Sequence, residues 1–308
     1  MREFAIVLMG PTAVGKTDLA IELASRFPVE LISVDSALVY RQMDIGTGKP
    51  SAEILRQFPH HLVNILDPIE SYSAGQFVRD VTVLINDIHS RGKVPLLVGG
   101  TMLYFRAMLR GIADMPEADA RFRAELDQRA ANVGWPAIHA ELQQLDPIVA
   151  QRIGVNDAQR IQRALEVMEL TGRTMSDIQA DARPALPSVE FLILGLNMNR
   201  EQLYSRIERR FMHMMNAGFL AEVKRLFQRN DLNANLPSMR AVGYRQLWAH
   251  LAGQCTLDEA IAQGILATRH LARRQLIWMR AAPDLHWLDA GVHSPADQAA
   301  TLIKKIFG

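Results

Sequence analysis

The sequence is poor in the features from which several function classes are most simply argued. Its 308 residues contain one cysteine, Cys255. An internal disulfide framework is therefore excluded, as is a cysteine-rich zinc or iron–sulfur site. A reducing cytoplasmic compartment is the expectation. Long hydrophobic runs are missing too. The first apolar stretch, residues 4–9, is too short for a signal-peptide core and far short of the roughly 18 residues that span a bilayer. No later stretch reaches that length, so no membrane association is expected. There is no excess of charge of one sign: 34 Lys and Arg stand against 33 Asp and Glu, a formal +1. Taken as a sum, that removes the simplest argument for a nucleic-acid partner. No fixed-period repeat or low-complexity tract is present.

What remains is a globular composition, 49% hydrophobic and 22% charged, with enough chain for one large domain or two modest ones. Residues 4–9 are apolar without alternation, which predicts a strand buried on both faces of a parallel sheet. A helical pattern follows over 16–26, then a strand over 31–34 that stops at Asp35. Residues 74–91 carry Phe77, Val81, Leu84, Ile85 and Ile88 at helical spacing. A strand over 95–98 runs into Gly99-Gly100, and a helix begins near Thr101. This alternation predicts an α/β fold, a P-loop parallel sheet flanked by helices.

The pattern changes near Asp114. Residues 116–182 show helical periodicity only, with Asn156 or Asp157 as an N-cap and Gly172 as a stop. A Pro-rich linker at 183–187 precedes a strand over 189–196. Residues 114–186 are thus expected to be an all-helical insertion domain, and 1–113 with 187–308 a single core. Beyond Asn199 helices are expected through 215, 219–228, 244–251 and 257–279, then a short strand at 285–288 and a last helix at 295–306.

Gly10-Pro11-Thr12-Ala13-Val14-Gly15-Lys16-Thr17 matches the phosphate-binding loop G-x-x-x-x-G-K-[ST] in full. The glycines let the backbone curl so that successive amides point into one cavity. The start of the following helix adds favourable potential for an anion. Lys16 supplies a point charge, and the Thr17 hydroxyl suits Mg²⁺. The loop announces a phosphate-bearing ligand without saying which. An ordinary P-loop NTPase adds an aspartate that helps hold Mg²⁺. The third strand instead ends in Gly99-Gly100-Thr101, with no carboxylate.

The apolar strand that does end in a carboxylate comes right after the P-loop helix, at Asp35. Such a side chain, at the carboxyl end of its strand, could hold Mg²⁺ through water, cap a loop, or act as a general base. Thr101 could cap its helix, face the same cleft as a hydroxyl donor, or do both. Other candidates are weaker. His60 and His61 are adjacent and lack a nearby cysteine, which argues against a metal site. Met212, Met214 and Met215 suit packing, as do Tyr40 and Tyr104.

The charge balance is uneven along the chain. Residues 1–100 sum to −2 and 113–186 to −4, whereas 200–280 carry 13 basic and 6 acidic side chains, +7. Twelve of those thirteen are arginines, the residue suited to bidentate phosphate contacts and to stacking on bases. Arg209-Arg210 and the 269–274 stretch are the densest clusters. A solvated helix face is the plainer reading, but acidic partners one turn away are scarce over 269–280.

These residues together resemble the tRNA dimethylallyltransferases, also called tRNA isopentenyltransferases. The likeness runs through the loop at 10–17, I-S-V-D-S-A-L-V-Y-R-Q-M-D-I-G-T-G-K-P at 32–50, D-P-I-E-S-Y-S-A-G-Q-F at 67–77 and L-L-V-G-G-T-M-L-Y at 96–104. It continues through V-G-Y-R-Q-L-W at 242–248 and T-R-H-L-A-R-R-Q-L-I-W-M-R at 268–280, with His270 where the family often has Gln. The resemblance implies transfer of a dimethylallyl group from dimethylallyl diphosphate to N6 of adenosine 37, in the anticodon stem-loop of tRNA. The loop would then hold a diphosphate, with Mg²⁺ as cofactor. By the same resemblance, Lys16 and Arg210 bind the diphosphate, Thr17 helps place the metal, and Asp35 is the general base. Thr101 contacts the target nucleotide, and Asp35, Ser36, Ala37 and Leu38 surround the flipped base. Arg123 and the run Gln159, Arg160, Ile161, Gln162, Arg163 become tRNA contacts, joined by Arg240, Arg245, Arg273 and Arg274. A monomer is the expected state. Two other readings share these features: a P-loop small-molecule kinase, and a non-catalytic RNA-binding protein with a nucleotide-responsive loop.

Overall fold

The structure, a computed structural model, describes residues 3–113, 115–282, 284–291 and 294–307. Six parallel strands form one sheet: β1 (Glu3–Met9), β2 (Val29–Val34), β3 (His60–His61), β4 (Val94–Gly99), β5 (Val189–Asn197) and β6 (Leu285–Asp289). Their spatial order is β3-β2-β4-β1-β5-β6. The α/β class expected from the alternation is the one observed. Strand β4 is buried at every position and β1 from Ala5 onward, as strands covered on both faces must be. Ile6, Leu8, Leu31, Leu96 and Leu194 interlock with Leu19 and Leu23 of the Lys16–Arg26 helix to make the core beneath the loop.

The register sets the floor of the site. Met9 and Val34 both lie opposite Gly99, so β1, β2 and β4 end level. The next residues, Gly10, Asp35 and Gly100, therefore open onto one crevice at the carboxyl ends of the strands, where open α/β sheets bind ligands.

Two elements escaped the sequence pattern. His60–His61 is a two-residue strand held by pairing with Leu31 and Ile32, too short to show any periodicity. The Ala52–Gln57 helix has no buried residue and so no apolar stripe. Elsewhere the differences are one or two residues at element ends. Asp157, rather than Asn156, caps the Ala158–Thr171 helix, and Gly172 ends it in the left-handed conformation.

The chain forms two compact units, Met1–Phe105 with Leu186–Gly308, and Arg106–Ala185. The composition shift suggested a boundary at 113/114; Asp114 itself lies outside the described residues. The unit begins earlier because the chain from Arg106 onward is tied to its far end: Gly111, at φ 90°, lies so close to the Arg183 backbone that a Cβ would come within 2.2 Å of its carbonyl oxygen. The second unit is helical throughout, with Leu126, Ile138, Leu142, Ile161 and Val167 in its core.

Candidate active site

A cleft of about 630 Å³ opens above the ends of β1, β2 and β4. Its walls include Thr12, Ala13, Lys16 and Thr17 from the phosphate loop, and Asp35, Ser36, Ala37 and Leu38 from the turn after β2. Thr101 comes from the end of β4, Arg210 from the Arg200–Asn216 helix, and Arg240 and Arg274 from the carboxyl-terminal half. Residues far apart in sequence thus share one cavity.

The loop has the curl that anion binding requires. Ala13 at φ 66° and Gly15 at φ 103° take left-handed conformations, turning their amides inward before the helix starts at Lys16. Gly10, Pro11 and Val14 are buried and serve as backbone. Lys16 Nζ donates to the Pro11 carbonyl at 2.8 Å. Burial pushes its ammonium down to about 7, against the pull of Asp35 and with the help of Arg210. Arg210 is likewise lowered by burial, while Asp35 and Asp18 oppose the shift and Arg206 adds to it. Two cations share the floor of the cleft, and burial outweighs the opposing pull of Asp35 on both, so an anion bound there would relieve the penalty.

Asp35 caps its own turn. Its Oδ1 accepts from the amides of Ala37 at 2.8 Å and Leu38 at 3.4 Å. Its Oδ2 makes no hydrogen bond among the described residues. Of the three roles open from sequence, loop capping is therefore realised through one oxygen, and the other remains for chemistry. Thr101 spends its hydroxyl across the cleft: Oγ1 accepts from the Ser36 amide at 3.0 Å and lies 3.4 Å from Ser36 Oγ. The ends of β2 and β4 are so joined. Two further wall atoms, Ser33 Oγ and His60 Nε2, are buried with no hydrogen-bond partner among the described residues, which leaves polar capacity for a ligand or water.

Two residues unremarked in the sequence hold this geometry. Gln275, buried on the Leu257–Arg280 helix, accepts from the Thr12 amide at 2.9 Å and donates to the Gly100 carbonyl at 2.7 Å. It links the phosphate loop to the end of β4. Glu222 is 1% exposed and accepts from the amides of Asp44, Ile45 and Gly46 at 2.9, 2.8 and 3.0 Å. The Tyr244 hydroxyl donates to it at 2.5 Å. A signal existed for Glu222: it sits on the apolar stripe of its helix, with Phe219, Val223 and Leu226.

The expected tRNA contacts fare differently. Arg245, Arg273 and Arg274 are exposed, as is Gln159. Arg160 is exposed and pairs with Asp157. Gln162 donates to the Arg123 carbonyl and to Asp127. Ile161 is corrected: it is fully buried in the helical core and has no surface to offer. Arg123 and Arg163 are both engaged by Glu166, which is fully buried, and both keep part of their surface exposed. Arg123 grips it in bidentate fashion at 2.7 and 2.8 Å, and Arg163 adds a bond at 2.5 Å. Burial pushes the Glu166 carboxyl up, but the two arginines and the Asp119 amide outweigh it and hold it below the usual range.

The oxygen donors on the cleft wall that could hold Mg²⁺ include the Thr17 hydroxyl and the Asp35 carboxylate. Among the described residues no group of three His, Cys, Asp or Glu could hold a metal alone. That sparse set fits Mg²⁺, which commonly uses one or two carboxylates and completes its shell with substrate phosphates and water. No helix of the described residues is long and apolar enough to cross a membrane.

Comparison with known proteins points to one family. The IPP transferase family model matches residues 38–282, and the isopentenyl transferase model residues 4–64. A tRNA dimethylallyltransferase of Chromobacterium violaceum is 56% identical over 279 residues, 90% of this chain and 86% of that protein. A tRNA isopentenylpyrophosphate transferase from Bacillus halodurans superimposes with a TM-score of 0.71 at 38% identity, over 99% of this chain and 95% of that one. A eukaryotic dimethylallyltransferase solved acting on tRNA gives 0.82 at 28% identity, over 99% and 79%. The chain belongs to the IPP transferase family, that of the tRNA dimethylallyltransferases.

Proposed function

We propose that this protein transfers the dimethylallyl group of dimethylallyl diphosphate to N6 of adenosine 37 in the anticodon stem-loop of tRNA, releasing diphosphate. One observation carries the reading: the Asp35 carboxylate and the anion site of Lys16 and Arg210 share one cleft, with no carboxylate at the end of β4. A base and a leaving-group site are both present, while the usual NTPase aspartate is not.

The adenine amine is a poor nucleophile because its lone pair is delocalised into the ring. Removing its proton as the C–N bond forms offsets that handicap, and Asp35 Oδ2 is the acceptor. The turn amides on Oδ1 hold the carboxylate in one orientation. As the C–O bond breaks, negative charge grows on the diphosphate; the loop amides, Lys16 and Arg210 face it at the floor of the cleft. Mg²⁺, held by Thr17 and the diphosphate, would supply further neutralisation of that charge. The target base must leave its stack to enter, at low cost in a single-stranded loop. Ser36, Ala37, Leu38 and Thr101 then form the wall it meets. Arg240, Arg245, Arg273 and Arg274 are assigned to the RNA backbone, and the 106–185 unit to a second contact area. Cytoplasm is the proposed compartment.

The test is incubation with Mg²⁺, tRNA and labelled dimethylallyl diphosphate, and separately with γ-labelled ATP and candidate small acceptors. Prenylated adenosine is expected. A phosphorylated small molecule with no prenylation would establish the kinase instead, and neither product would favour an RNA-binding role.

A further inference from the structure

We propose that Glu222 is a positioning residue for the diphosphate site: through the 44–48 loop it sets where the Arg210 guanidinium stands. The inference rests on the reading of Lys16 and Arg210 as the diphosphate site and extends it to a residue outside the cleft.

Arg210 makes no hydrogen bond or ion pair among the described residues, whereas Glu208 on the same helix is tied to Arg269. A long cation on the wall of a cleft, with no carboxylate partner, has no polar bond to fix its rotamer. Leaving it unbonded keeps its donors available to a ligand, but the position must then come from packing. The packing surface is Gly48. This residue stands at φ 64°, and a Cβ there would fall 1.8 Å from Arg210 Nη2 and 3.1 Å from Met214 Cε. The backbone of the loop is in effect the wall against which the guanidinium lies.

That wall is itself held from behind. Three consecutive amides, Asp44, Ile45 and Gly46, converge on the Glu222 carboxylate. The loop closes on itself through Gly48 N to Ile45 O at 2.9 Å and Lys49 N to Asp44 O at 3.0 Å. Gly46 is pressed against the Phe219 ring, where a Cβ would come within 1.9 Å of Cε2. The Lys49 ammonium donates to Tyr40 O, Asp44 Oδ1 and Asn64 Oδ1. Glu222 has no cationic partner among the described residues; its charge is met by three amides and a phenol. A buried carboxylate is a costly way to hold a loop if any acceptor would do. It is justified where three diverging donors must be fixed at once, because a carboxylate offers about four acceptor positions on two oxygens. Glutamine offers one oxygen and places two unwanted donors against the amides. Glu222, the loop and Arg210 therefore form a single chain of contacts ending at the anion site.

The experiment is a double-mutant cycle read by binding of inorganic diphosphate with Mg²⁺ to the full chain. Glu222→Gln is expected to weaken that binding by roughly 10- to 100-fold, the scale of misplacing one group by about 1 Å. In an Arg210→Ala background, already weakened, Glu222→Gln should then have little further effect. In the prenyl-transfer assay it should raise KM for dimethylallyl diphosphate and leave KM for tRNA close to that of the parent. Gly48→Ala approaches the same contact from the loop and covers the case in which Glu222→Gln does not fold; its effect should also disappear without Arg210. Equal losses with and without Arg210, or unchanged diphosphate affinity in a folded Glu222→Gln protein, would overturn the proposal. If the parent protein itself failed to bind diphosphate, the site reading beneath it would fall first, and that result is distinguishable from the others.

Discussion

Replacing Lys16 by methionine should make the ligand-free protein more stable while abolishing diphosphate binding. In the unfolded chain the ammonium has its ordinary value of 10.5, and in the folded cleft burial lowers it to about 7. Between these values the unfolded state binds the extra proton, so stability rises with pH across that window. Below it the full penalty applies. A displacement of about 3.5 pH units corresponds to roughly 5 kcal/mol at 1.36 kcal/mol per unit. Lys16 is half-buried, and solvent at the cleft mouth screens part of that. The variant also forfeits the bond to Pro11 O, worth about 1 kcal/mol. A net gain of about 2 kcal/mol at pH 7 is expected for Lys16→Met.

Denaturant unfolding of both proteins, at pH 7 and again near pH 10, measures this directly. The advantage of Lys16→Met should shrink as pH rises through the window, because the folded parent is already neutral at Lys16 while its unfolded form gives up the proton at ever lower cost. Saturating diphosphate with Mg²⁺ should reverse the order. Ligand at 100 times its Kd adds about 2.7 kcal/mol to the parent and nothing to a variant that cannot bind. A Lys16→Met protein less stable than the parent at pH 7, or a difference independent of pH, would refute the argument that the cleft holds an unneutralised cation.

Other outcomes follow from the same geometry. Asp35→Ala should lower single-turnover prenyl transfer by roughly 10²–10⁴-fold with tRNA affinity little changed; near-normal single turnover would remove Asp35 as the base. Neutralising Arg273 and Arg274 together should weaken tRNA binding and reduce its salt slope by up to about 2, one unit for each phosphate that is no longer neutralised. An unchanged slope would mean that both side chains only face solvent. In the helical unit, Arg123→Ala should cost stability, because it leaves the buried Glu166 carboxylate with one arginine, Arg163, and the Asp119 amide. About 2–4 kcal/mol is expected, reduced from a fully buried pair by the partial exposure of Arg123. Arg160→Ala, at an exposed position, should cost under about 0.5 kcal/mol. If Arg123→Ala lowered tRNA affinity and left unfolding untouched, its assignment to Glu166 would be wrong.

The parts of the site written into consecutive residues were legible. The phosphate loop needs its glycines, lysine and threonine at fixed spacing, and Asp35 directly follows a strand that declares itself as a short apolar run. The sheet could be read because buried parallel strands are continuous apolar runs. What could not be read depends on partners brought together by folding. Gln275 lies 263 residues from the Thr12 amide it caps, and Glu222 lies 178 residues from Asp44. Neither has meaning until the helices pack. Ile161 failed for a different reason. Its place in a motif run suggested exposure with its polar neighbours, but Ile161, Ala164, Leu165 and Met168 fall at helical spacing, which puts Ile161 on the inner face.

The arginines show how the same residue type divides by partner. Arg123 and Arg163 are held by Glu166, Arg229 by Asp67 and Asp231, and Arg269 by Glu208. Their charge is compensated locally, and they contribute little to a field felt by a distant polyanion. Arg209, Arg210, Arg245, Arg273 and Arg274 have no ion pair among the described residues. The net excess in the 200–280 segment therefore includes four exposed arginines, Arg209, Arg245, Arg273 and Arg274, with no ion pair among the described residues. An unpaired exposed guanidinium is well solvated and costs the fold almost nothing, whereas several on one segment repel each other unless phosphates come between them. The near-zero charge of the whole chain and its affinity for RNA are then compatible. Acidic groups cancel basic ones in the sum, but those that pair, such as Glu166, Glu208 and Asp231, do so with other arginines, and the exposed arginines left over are free to meet phosphates.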